Sequence, residues 1–231
     1  MKFSQRLRAK ADASWQASFD HPFVTGIADD TLPLESFKYY VLNDSYYLSV
    51  FAKVQALGAA VANDLHTASR MAAHAQGTYE AELSLHETFS TRLGITAEDR
   101  AAFEPSPTAY AYTTHLLAVG YTGTLGEIIA ALLPCYWLYA EIGKRLQGAT
   151  PEQPIYQEWI RAYGGDWFET LVTEQIDRLD ALAELATPEE RRRMEQHFLI
   201  SSQYELSFWG MAYSLEQWPA PAIELAESDA R

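Results

Sequence analysis

The chain has 231 residues, 31 acidic against 17 basic side chains and a formal charge of −14. With 48% apolar and 21% charged residues it can bury a core of its own, which excludes intrinsic disorder. The acidic balance repels phosphate backbones and anionic lipid, so nucleic acid and the membrane surface are excluded as partners.

Alanine occurs 34 times against 17 for valine and isoleucine together, without alternating β-branched runs, and helix is expected throughout. The first helix is predicted over 2–18. Its mixture of charged and apolar side chains lacks the apolar run of an export signal, so a cytoplasmic location is expected. His21, in a His-Pro-Phe segment, reads as a helix-end imidazole bonded locally rather than as a haem ligand.

A second helix is expected over 34–62. In Phe37-Lys-Tyr-Tyr-Val-Leu-Asn-Asp-Ser-Tyr-Tyr-Leu48, Asp44 and Tyr47 stand at i and i+3, on one face among apolar neighbours. A carboxylate there faces the interior and needs a donor. A third helix follows over 66–93 with Gly94 as terminator. Pro105 and Pro107 interrupt a short loop without linker composition, and the helix expected over 108–119 carries Tyr112, a possible phenol donor.

The glycine-rich Gly120-Tyr-Thr-Gly-Thr-Leu-Gly126 joins two helices rather than a strand and a helix, which argues against a dinucleotide site. The helix expected over 124–147 starts at the cap Thr124-Leu-Gly-Glu127. Its apolar run, Ile128 to Ala140, is shorter than the roughly 20 residues that cross a bilayer, and reads as core. Pro134 frees a carbonyl four residues back and predicts a kink beside Cys135, the sole cysteine. That cysteine cannot form an internal disulfide, and it shares a face with Tyr139 at i+4. Reactivity would require a thiolate stabilised by a donor or a positive neighbour.

Helices are then expected over 155–163, 167–186 and 188–217. Gly148 and Gly164 are expected as terminators, with N-caps at Asp166 and Thr187. Tyr163 follows Trp159 at i+4. In Ser202-Gln-Tyr-Glu-Leu-Ser-Phe-Trp-Gly-Met-Ala212, Glu205 shares a face with Phe208 and Trp209. A glutamate among such rings should have a raised pKa, the condition for donating a proton near neutral pH. Long helices with short connections pack as an all-α bundle, expected as one domain over 1–218 followed by an acidic, frayed tail over 219–231.

Four motifs in order resemble the thiaminase II (TenA) family: Tyr39-Tyr-Val-Leu-Asn-Asp-Ser-Tyr-Tyr-Leu48, Glu127-Ile-Ile-Ala-Ala-Leu-Leu-Pro-Cys-Tyr-Trp-Leu-Tyr139, the segment from Trp159 to Tyr163, and Glu205-Leu-Ser-Phe-Trp209. The resemblance runs from about Phe3 to Trp218 and implies a haem-oxygenase-like fold and a homotetramer. It makes Cys135 the nucleophile and Glu205 the proton donor. Asp44, Tyr139 and Tyr163 match pyrimidine-contacting positions, Tyr112 a pocket tyrosine, and Tyr47 the residue that supports the cysteine's nucleophilicity. Asn43 departs from the family pattern, which has glutamine before the aspartate.

The implied reaction is hydrolysis of 4-amino-5-aminomethyl-2-methylpyrimidine to the hydroxymethyl pyrimidine and ammonia, with thiamin hydrolysis as a related activity. No metal or organic cofactor is expected, since the aminopyrimidine is its own electron sink. The alternative is a helical protein that holds a pyrimidine or another small ligand without turnover.

Overall fold

The computed structural model describes residues 1–219, apart from the side chains of 81–86. Except for Pro219, the tail expected over 219–231 lies outside the described residues. Those residues are all-α: α1 (Phe3–Lys10), α2 (Asp12–Phe19), α3 (Pro22–Ala28), α4 (Leu34–Val61), α5 (Leu65–Arg92), α6 (Ala97–Ala101), α7 (Pro107–Thr122), α8 (Leu125–Leu146), α9 (Pro154–Gly164), α10 (Asp166–Leu185) and α11 (Pro188–Ser214).

Helix α8 is the axis of the bundle, packed against α4, α7, α9, α10 and α11. By length and composition it could cross a membrane, yet 83% of its most apolar window is buried inside the protein. It owes that character to its neighbours, since a helix apolar on all sides must be covered. The kink expected at Pro134 does not break it: α8 runs continuously through the proline.

Several boundaries differ from expectation. The first helix divides at Ala11 (φ −83°, ψ −2°) into α1 and α2. Ser14 Oγ donates to the Ala11 carbonyl at 2.8 Å and Ser18 Oγ to the Ser14 carbonyl at 3.0 Å, bonds of the kind that bend helices. The division lets α1 lie on α10 while α2 lies on α11. Two short helices were not expected. α3 starts where His21 Nδ1 accepts the Phe23 N–H at 3.1 Å, and α6 starts at a reciprocal Thr96–Asp99 capping box.

Thr124 and Thr187 cap as expected, accepting from the backbone of Glu127 and Glu190. Asp166 is instead the first residue of α10, with Gly165 at the N-cap. Of the glycines expected in the left-handed region only Gly94 is there, at φ 62°. α11 stops at Ser214, where Leu215 turns left-handed at φ 55°, short of the expected 217.

Two contacts shape the site. A Cβ on Gly143 would stand 2.4 Å from the Tyr163 carbonyl carbon and 2.5 Å from Gly164 N, so α8 and α9 meet backbone to backbone there. The departure at Asn43 has its own function: its side chain donates to the Tyr39 carbonyl at 3.1 Å and accepts from Ser106 N at 2.9 Å, pinning the start of α7 to α4.

Candidate active site

A cavity of about 280 Å³ opens among α4, α5, α8, α9 and α10. That is close to the lower end of small-molecule pockets, roughly 300 Å³. Its walls include Asp44 and Phe51 from α4, His74 from α5, Cys135, Tyr136 and Tyr139 from α8, Tyr163 from α9, and Phe168 and Leu171 from α10. Four of the seven residues expected from sequence, Asp44, Cys135, Tyr139 and Tyr163, therefore share one cavity. Asp44 is buried and Cys135 half-buried.

The other three, Tyr47, Tyr112 and Glu205, form a buried layer behind that wall. Tyr112 Oη lies 2.6 Å from Glu205 Oε1. Burial pushes the Glu205 carboxyl up to about 8; the Tyr112 hydrogen bond opposes the rise and the negative charge of Asp44 adds to it. Glu205 is thus protonated near neutral pH, as its aromatic setting predicts.

The Tyr47 ring packs 4.9 Å from that of Tyr112 and 5.8 Å from Phe208. Its phenol is buried with no hydrogen-bond partner, and burial, followed by the charge of Cys135, holds its pKa well above the usual value.

Tyr139 sits in an aromatic frame, its ring 4.8 Å from Tyr163 and 5.0 Å from Trp209. Its hydroxyl is 3.4 Å from Tyr40 Oη, which accepts from Trp159 Nε1 at 3.4 Å. Burial holds Tyr139 and Tyr40 in the neutral phenol form. The Gly143–Gly164 approach makes this frame possible, since it brings the end of α9 onto α8 one turn beyond Tyr139.

Sequence reasoning missed His74 and did not single out Tyr136 or Phe168. His74 Nδ1 is 3.0 Å from Tyr136 Oη, and Nε2 faces Glu174 Oε2 at 3.3 Å. Glu174 also accepts from Arg70 and Arg178, each at 2.7 Å. The available signal was the pair of i,i+4 spacings, Arg70 with His74 and Glu174 with Arg178, which read in isolation as ordinary surface pairs. His21 spends its Nδ1 on the α3 cap, as the local reading expects. Among the described residues no group of three or more His, Cys, Asp or Glu side chains could hold a metal ion.

The TENA/THI-4/PQQC family matches residues 8–215. The chain belongs to that family. An aminopyrimidine aminohydrolase of Bacillus subtilis (strain 168) is 58% identical over 227 residues, covering 98% of this chain and 96% of that protein. An aminopyrimidine aminohydrolase of Halalkalibacterium halodurans is 40% identical, covering 94% of this chain and 98% of the relative. Among solved structures, a TenA homologue from P. horikoshii OT3 superposes with a TM-score of 0.86 at 30% identity, over 93% of this chain and 99% of that one. A domain with a heme oxygenase-like fold from Shewanella denitrificans gives 0.71 at 17% identity, over 91% of this chain and 92% of that one, which agrees with the expected fold type. The motifs that carried the resemblance all lie inside the family's span.

Proposed function

We propose that the chain is an aminopyrimidine aminohydrolase, a thiaminase II of thiamin metabolism, with Cys135 as nucleophile and Glu205 as proton donor. The observation that carries this reading is a protonated, buried Glu205, bonded to Tyr112 at 2.6 Å, behind a cavity that presents both Asp44 and Cys135.

The chemistry needs those groups together. A thiolate adding to a pyrimidine carbon pushes charge onto a ring nitrogen, and an acid must protonate that nitrogen as the bond forms. Glu205 holds its proton until that moment because desolvation disfavours its carboxylate. The amine, in its ammonium form, leaves the C5 methylene as ammonia, pushed out by the electron-rich ring. Water adds at the exposed methylene and gives a proton to the released ammonia, the thiolate departs, and the ring-nitrogen proton returns to Glu205; the net change is amine plus water to alcohol plus ammonia.

Asp44 accepts from the substrate's 4-amino group and fixes the ring. Tyr139 and Tyr163 present faces and hydroxyls to it, and Tyr112 orients Glu205. On this reading Tyr47, buried beside the site with no hydrogen bond of its own, supports the nucleophilicity of Cys135.

The same reading has the enzyme in a reducing cytoplasm, suited to a chain with one cysteine. It also has a homotetramer, which would cover apolar side chains that a monomer exposes, such as Tyr121 at 69% and Leu185 at 88%. Sedimentation at micromolar concentration gives about four chain masses on this account, and a single chain mass would contradict it.

The activity itself is tested by incubating purified protein with the aminomethyl pyrimidine and, in a second tube, with thiamin. Release of ammonia and the hydroxymethyl product supports the hydrolase. Saturable binding without product would move the reading to a ligand-binding protein.

A further inference from the structure

Cys135 sits one residue after Pro134, in the stretch of α8 where the helix is least secured. Proline has no N–H, so the Ala130 carbonyl loses its i+4 donor and this turn has one backbone hydrogen bond fewer than its neighbours. The next side chain compensates. Tyr136, buried in the cavity wall, has its ring 5.3 Å from Phe51 and 6.2 Å from Phe168. Its hydroxyl accepts from Gln55 Nε2 and meets His74 Nδ1 at 3.0 Å.

Beyond His74 the chain of contacts continues. The imidazole is 1% exposed, and Nε2 faces Glu174 at 3.3 Å without the alignment of a hydrogen bond. With the ring proton on Nε2, the side that faces the carboxylate, Nδ1 accepts from the Tyr136 hydroxyl, which itself accepts from Gln55. Burial keeps that imidazole neutral and Tyr136 a phenol. Arg70 and Arg178 clamp Glu174 from both sides, so the series Gln55–Tyr136–His74–Glu174 ties α4, α8, α5 and α10 together around one side of the cavity.

We propose that His74 and Tyr136 are positioning residues for the reaction: their hydrogen bond, anchored on Glu174 and Gln55, fixes the proline-weakened turn of α8 and so aims Cys135 at the substrate carbon. The proposal rests on the reading of Cys135 as nucleophile. It assigns neither residue a contact with the reacting atoms.

The test is a double-mutant cycle on steady-state kinetics with the aminomethyl pyrimidine, with Cys135→Ser alongside. Tyr136→Phe keeps the ring and its volume and removes only the hydroxyl, so it carries the test even if a His74 variant folds poorly. It should lower kcat by about 10- to 100-fold, the loss that a misplacement near 1 Å brings, while KM stays within about twofold. His74→Leu should lose as much, and His74→Asn, which keeps a polar group near the Nδ1 position, should recover most of it.

Because both single changes cut one bond, the double variant should be no worse than the poorer single, within about twofold. Wild-type kcat in Tyr136→Phe, or losses that multiply in the double variant, would overturn the proposal while Cys135→Ser stays inactive. Wild-type turnover by Cys135→Ser would overturn both the proposal and the nucleophile reading beneath it.

Discussion

The Tyr112 phenol lies 2.6 Å from Glu205 Oε1 in a layer where neither side chain reaches water. The bond and the burial act on the carboxyl in opposite senses. The bond favours the ionised carboxyl, burial favours the neutral one, and burial wins, leaving Glu205 near 8 in the direction an acid catalyst needs.

Glu205→Gln keeps the shape of the site and removes the proton. Turnover of the aminomethyl pyrimidine should fall by at least about 100-fold, while substrate affinity measured by calorimetry stays within a few-fold. Unchanged turnover would take Glu205 out of the mechanism.

The proposed mechanism uses the protonated carboxyl, so kcat/KM should decline as pH rises through about 8. Tyr112→Phe removes the one interaction that pulls Glu205 down, and the alkaline limb should move to higher pH by about half a unit or more, with a lower maximum. A limb that stays in place, or moves down, would contradict the assignment.

The same group links stability to pH. The carboxyl titrates near 4.5 in the unfolded chain and near 8 in the fold, so its contribution is complete below 4.5 and is lost as pH rises through 8. A difference of this size corresponds to a loss on the order of 5 kcal/mol between pH 4.5 and pH 9, as an upper bound. Glu205→Gln should be free of that loss, so its Tm relative to wild type should rise between pH 6 and pH 9 in thermal melts.

Gly143→Ala would drive a methyl group into the Tyr163 backbone, 2.4 Å away. Overpacking of this kind costs roughly 1–3 kcal/mol, and here it also parts Tyr163 from Tyr139. Denaturant melts should show the loss, and KM should rise more than kcat falls, because the proposed role of these rings is to hold the substrate rather than transform it.

Much of this was legible in the sequence, for identifiable reasons. The long helices announce themselves through alanine content and threonine caps, and Thr124 and Thr187 cap as written. Glu205 could be read because its perturbation is local: Phe208 and Trp209 are its own helical neighbours. The break at Ala11 was hidden because alanine carries no terminator signal, and α3 because its cap is a histidine. His74 was invisible for a different reason. Its partners Tyr136 and Glu174 are 62 and 100 residues away, and neither spacing leaves a mark on a single chain. The division of the site into a cavity wall and a buried layer likewise follows from packing that periodicity does not record.

The central claim is that hydrolysis passes through the Cys135 sulfur. Its most direct measurement is product formation by wild type and Cys135→Ser side by side with the aminomethyl pyrimidine, following ammonia and the hydroxymethyl product by chromatography. The account predicts turnover by wild type alone, with Cys135→Ser still folded and still binding the pyrimidine. Turnover by both proteins at similar rates would contradict it, keeping the hydrolase and removing the thiolate from the reaction.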